Sequence, residues 1–137
     1  MSSRIIRKAF ESALAAMPGA LPLAKQNAAF KPVLGTPYAE TFLLTGHPDG
    51  ATLGSGFKRD VGVFQVTLCY PDNAGTDAVE TKAEEIRARF KRGTVFSADG
   101  IRILVDRHPD NGPGQNAPGW YRVPVSVPYA ADVFGAV

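Results

Sequence analysis

The chain is short of the residues that most often carry chemistry. Its one cysteine, Cys69, has no second thiol to pair with, so no intrachain disulfide can form and nothing points to an oxidising compartment. Cys69 lies in the apolar run VFQVTLCY, where a small buried hydrophobe is expected rather than a nucleophile. There are two histidines, and neither has a third metal ligand at a diagnostic spacing. Long hydrophobic runs are missing too. The N-terminal stretch MSSRIIRKAFESALAAM has charges spread through it and fits neither a signal peptide nor a membrane span, so a soluble protein made in a cytoplasm, with no membrane partner, is expected. Nor does one sign of charge dominate. Fifteen Lys and Arg against 13 Asp and Glu leave a net charge of +2, far from the strongly basic balance of a nucleic-acid binder, so no sequence-specific nucleic-acid partner is expected. No internal repeat or low-complexity segment is present.

What is there suits one compact domain spanning residues 1–137. Ile6, Phe10, Ala13, Leu14 and Met17 recur at helical steps and Pro18-Gly19 stops the run, which predicts a helix over residues 4–17. A proline-rich extended connection follows, then strands at Tyr38–Thr45 and Val61–Tyr70. The second strand is apolar on both faces, which suits a central place in a sheet. Val79, Ala83, Ile86 and Phe90 mark the buried stripe of a second helix, opposite Glu80, Glu84, Arg87 and Lys91. Asp77 with Glu80 three residues on predicts a side-chain cap at its start. Behind it come a short strand, a tight turn at Ala98-Asp99-Gly100, a strand over Ile101–Arg107 and a closing strand WYRVPVSVPYA. The fold class expected is α+β, in the order α-β-β-α-β-β-β: a mostly antiparallel sheet of about five strands with two helices on one face. Pro124 and Pro128 are four apart, so their missing N–H groups share one side, which predicts an edge strand where another chain can attach.

Candidate chemistry weakens on inspection. HPDG at His47 and HPDNG at His108, with Asp49 and Asp110, would supply a metal site or a small enzyme's centre if the two loops met, but Pro-Asp-Gly and Pro-Asp-Asn-Gly are also strong turn formers. GPGQNA, from Gly112, fits a dinucleotide fingerprint formally, yet Pro118, Gly119 and a strand follow where a helix is required. The loop before the second helix carries Asp72 and Asp77 where a phosphate would need positive charge. Arg87, Arg89, Lys91 and Arg92 crowd the end of that helix, where cations favour the dipole. No catalytic residues, cofactor or metal are therefore expected. Two Gly- and Pro-rich loops remain, residues 46–60 and 108–119, and loops of that length in a compact domain usually serve function. With the expected edge strand they define a candidate interface. Leu53, Phe57, Lys58 and Arg59 come from the first loop, and His108, Asn111 and Asn116 from the second. Trp120, Pro124 and Pro128 come from the closing strand.

The N-terminal helix, LPLAKQNAAFKP with Asn27, Phe30 and Pro32, YAETFLL, the long run LGSGFKRDVGVFQVTLCYPDNAGTDAVETKAEEIRARFKRGTVF and the closing RVPVSVPY together resemble the tail terminator-like proteins of long-tailed bacteriophages, across Arg4 to Tyr129. The resemblance implies a structural, non-enzymatic protein of the virion tail, assembled in the bacterial cytoplasm. It implies a small α+β fold that is a monomer in dilute solution and a hexameric ring on the tail tube. Such a ring ends tube polymerisation and offers a surface to the head-tail connector protein. Its implied partners are thus further copies of itself, the tail tube protein and the connector. A head-tail joining or minor tail protein is the alternative of similar size and composition.

Overall fold

A computed structural model describes residues 2–25, 30–33, 35–45, 58–72 and 75–133. Helix α1 spans Ser2–Ala15 and helix α2 spans Asp77–Arg89. The strands are β1 (Leu23–Ala24), β2 (Tyr38–Thr45), β3 (Lys58–Pro71), β4 (Val95–Ala98), β5 (Ile101–Val105), β6 (Asp110–Asn111), β7 (Gln115–Ala117) and β8 (Trp120–Val133). They form one mixed sheet in the order β1-β2-β3-β8-β5-β4, with β6 and β7 also paired to β8. Among the described residues only the β1–β2 pair is parallel. The class is α+β, and the three strands beyond the expected five are β1, β6 and β7, of two or three residues each. Such short pieces leave no period in a sequence.

Both helices lie where their apolar stripes predict. Ile6, Phe10 and Leu14 of α1, and Val79, Ala83 and Ile86 of α2 with Phe90 just beyond it, are buried against one face of the sheet. That face carries Phe64, Val66 and Leu68 of β3, Val123, Val125 and Val127 of β8, and Ile101, Ile103 and Val105 of β5. Phe10 is its aromatic centre, stacked on Phe64 at 4.6 Å and edge-on to Phe96 at 5.1 Å. Glu11 is buried on the same side, where its carboxylate accepts a hydrogen bond from Thr41 Oγ1 at 3.0 Å. The start of α2 differs from expectation. Its N-cap is Thr76, without a side-chain cap bond, and Asp77 and Glu80 instead place negative charge in the first turn, where the helix dipole favours it.

The closing strand is the main correction. Instead of an edge, β8 occupies the middle of the sheet, paired with β3 along all 14 of its residues. The two prolines are tolerated because its other side is covered in pieces. β5 lies opposite Tyr129–Val133, β6 opposite Val125 and Ser126, and β7 opposite Trp120–Arg122, which leaves Pro128 and Pro124 at the two breaks. The Pro124 carbonyl accepts from the Gly112 N–H at 2.8 Å, so the backbone of Pro124 faces this segmented side. Pro128, an even number of residues on, faces the same way. Each missing donor thus falls where no ladder bond is required. The sheet ends are β4 on one side and β1 on the other.

Candidate interaction surface

Strand alternation assigns the remaining side chains to the sheet face opposite the helices. In register across β2, β3 and β8 that face carries the rows Tyr38, Cys69, Arg122; Glu40, Thr67, Pro124; Phe42, Gln65, Ser126; and Leu44, Val63, Pro128. Phe42 is 43% exposed, Leu44 47% and Val95, on the same face of β4, 43%. They are three of the four exposed large hydrophobic residues among those described. Apolar side chains at alternate positions of a strand normally point to a core, and here no helix covers them.

Two charged clusters frame this apolar strip. At one end Asp132, almost fully buried, accepts from Arg59 Nε at 2.8 Å and Nη2 at 3.3 Å, with Arg102 Nη1 at 3.6 Å. The three residues stand in register on β3, β8 and β5, so the carboxylate ties the middle strands together. At the other end the Arg122 guanidinium donates to Glu40. Burial works against the Arg122 charge, and the bond to Glu40 together with the charges of Cys69, Glu40 and Tyr38 more than offsets it, so its pKa is raised. Tyr38 and Cys69 lie beside this pair. Burial pushes the Tyr38 phenol up to about 12, with a contribution from its hydrogen bond with Cys69, and burial likewise pushes the Cys69 thiol up. Cys69 is therefore an inert, fully buried thiol, as its apolar run predicts. Phe30 packs on Tyr38 at 5.0 Å between ring centroids, leaving a cleft of about 440 Å³ floored by Glu40, Gln65, Thr67 and Arg122.

The candidate interface residues scatter on folding. Leu53 and Phe57, like His47 and Asp49, lie outside the described residues. Lys58 opens β3, and Arg59 is engaged with Asp132. Trp120 is half-buried and meets Tyr38 edge-on at 5.0 Å, which places it at the Arg122 end of the helix-free face. His108, Asn111 and Asn116 are exposed along the segmented side of β8, and Pro124 and Pro128 are within the sheet, away from any edge. Residues 108–119 are less a loop than expected, since they supply β6 and β7. Their glycines answer to close packing. A Cβ on Gly114 would sit 2.0 Å from the Tyr121 hydroxyl, and one on Gly112 2.7 Å from Pro124 Cγ. No helix follows GPGQNA, in line with its rejection as a nucleotide loop. Among the described residues, no three His, Cys, Asp or Glu side chains are grouped to hold a metal ion, and no helix is long and apolar enough to cross a membrane. At the end of α2, Arg89 lies over the Phe90 ring at 5.2 Å, and Arg89, Lys91 and Arg92 are exposed.

Phe42, Leu44, Glu40 and Arg122 on this face, and the buried Asp132 that ties its strands together, have no counterpart among the residues expected from the sequence. The signal was present: β2 reads FLL, apolar on both faces, beside a β3 that is also apolar on both faces. Two-sided apolarity predicts a central strand, as holds for β3, but it serves equally a face that no helix covers, as in β2.

The family model for phage tail terminator protein matches residues 5–129. A solved structure superposes with a TM-score of 0.77 and 29% sequence identity, covering 96% of each chain. No curated protein matches the chain significantly.

Proposed function

The chain belongs to the phage tail terminator family, a structural protein family with tail-associated partners, and we propose that it caps the tail tube, ends its polymerisation and offers the surface to which the head joins. The family match over residues 5–129 carries this reading. The helix-free sheet face supports it, because exposed Phe42, Leu44 and Val95 suit a contact with another protein. In this reading copies of the chain form a ring, hexameric as in the family, through one heterologous contact repeated until it closes. The tube protein lies on one side of the ring and the head-tail connector on the other. The protein acts without catalysis, in the virion tail, after assembly in the host cytoplasm.

Electron microscopy of tails made without this protein tests the reading. Tubes of uncontrolled length, detached from full heads, are the expected result. Tails of normal length beside leaking heads would instead make it a head-side joining protein.

A further inference from the structure

At the β4 end of the sheet, a groove runs between that strand and α1. It has a volume of about 460 Å³, with Ile5, Ala9 and Phe96 as apolar floor and Arg4, Lys8 and Ser12 along the helix rim. Arg4, Lys8 and Ser12 recur every four residues, so they form one line along α1. Neither cation has an ion-pair partner among the described residues, and the one acidic side chain of the groove, Asp99, sits at the turn that closes it.

The strand beside the groove has a free side. β4 ends the sheet and pairs only with β5 among the described residues. The Val105 N–H donates to the Thr94 carbonyl at 2.9 Å, so Thr94 faces β5. By alternation Phe96 and Ala98 also face β5, whereas Val95 and Ser97 turn their N–H and C=O groups outward. The β4 edge therefore offers two backbone donors and two acceptors, those of Ser97 in the groove wall and those of Val95 just beyond it, opposite two cations on the helix wall and beside an apolar floor. At about 3.3 Å per residue β4 is about 13 Å long, and at about 1.5 Å per residue Arg4 to Ser12 spans about 12 Å, so the two walls match in length.

We infer that this groove binds an extended acidic segment of another protein by strand addition to β4. The segment lies between β4 and α1, its backbone bonded to Val95 and Ser97. An apolar side chain rests on Phe96, Ile5 and Ala9, and a carboxylate two residues away reaches Arg4 or Lys8. Backbone bonds supply affinity and the groove supplies selectivity. The cationic rim decides for an acidic partner over a neutral or basic one. This site is separate from the helix-free face, so its failure would leave the tail-end reading untouched.

The probe is a short capped threonine peptide with one valine and two glutamates at alternate positions, and the control has lysines for the glutamates. Binding to the full chain is followed by fluorescence anisotropy at low salt. The glutamate peptide is expected to bind about tenfold more tightly than the control, and Lys8→Glu to cancel that difference. Ser97→Pro removes one outward donor but no β4–β5 bond, and is expected to abolish binding of both peptides with little change in melting temperature. If that variant fails to fold, a glutamate peptide N-methylated at alternate residues, which cannot complete the ladder, is expected not to bind the unaltered chain. Equal binding of the two peptides, binding indifferent to both backbone changes, or no binding at about 1 mM peptide would overturn the inference. Self-association that Ser97→Pro abolishes and the peptide leaves unchanged would assign the groove to a second copy, and would overturn it too.

Discussion

Tyr129 is the residue through which several features of the core are connected. Its ring, 1% exposed, packs on Phe10 at 5.6 Å between centroids and fills the space left by Gly62 on the neighbouring strand. A Cβ on Gly62 would stand 2.3 Å from the Leu44 carbonyl and 2.7 Å from the Tyr129 hydroxyl. Gly62→Ala is therefore expected to destabilise by about 1–3 kcal/mol in urea unfolding, through forced displacement of backbone as well as side chain. The Tyr129 hydroxyl is buried without a hydrogen-bond partner among the described residues. Burial pushes its pKa up to about 12, with the charge of Asp60 adding to the rise and Arg7 opposing it. Below pH 10 the phenol is neutral in both states and stability is unaffected. Above pH 10 the unfolded chain loses the proton first, so stability falls as pH rises and reaches its full loss near the folded value of about 12. The loss should be about 1.4 kcal/mol by pH 11, measured by urea unfolding at pH 8 and pH 11. Tyr129→Phe should remove that part of the alkaline slope and cost little at pH 8, since no hydrogen bond is lost. An unchanged slope in the variant would show that the phenol is not the group responsible.

Among the elements, the helices were the most legible. A stripe of Val79, Ala83, Ile86 and Phe90 at steps of three and four has one packing solution, and all four are buried. Ile86→Ala should cost about 2–5 kcal/mol by leaving a cavity between α2 and the sheet, read by thermal or denaturant unfolding. Strand β8 was legible in extent but not in position. Its prolines mark one side of the strand as poor in donors, and that much was correct. Whether that side meets solvent or three short strands depends on where residues 101–117 return, and their two- and three-residue strands carry no pattern of their own. The consequence concerns residues 108–119, which look dispensable as a loop. Because β6 pairs with Val125 and Ser126 and β7 with Trp120–Arg122, replacing the segment by a short turn would open one side of the central strand. The expected outcome is a lowered melting temperature together with concentration-dependent association, seen by calorimetry and light scattering.

At the scale of the whole molecule, the asymmetry of the sheet is the functional clue. One face is sealed by two helices, and the other keeps Phe42 and Leu44 partly exposed between two charged clusters. If the ring is built on that face, Phe42→Asp combined with Leu44→Asp should leave a folded monomer and prevent assembly, with circular dichroism reporting the fold and analytical ultracentrifugation the ring. A variant that still assembles would move the contact elsewhere. Composition and period by themselves determined the class of the fold, both helices with their buried stripes, the central place of β3 and the burial of Cys69, because each of these depends on neighbours within a few turns or one strand. The resemblance in LGSGFKRDVGVFQV and its flanks carried the family. Only the tertiary structure decided that β8 lies inside the sheet, that Arg59 belongs to Asp132, 73 residues away, and that Phe42 and Leu44 face outward. Those outcomes depend on strand order and on which face the helices cover, and a strand's own sequence is nearly the same whether its second apolar face is covered by its own chain or by another.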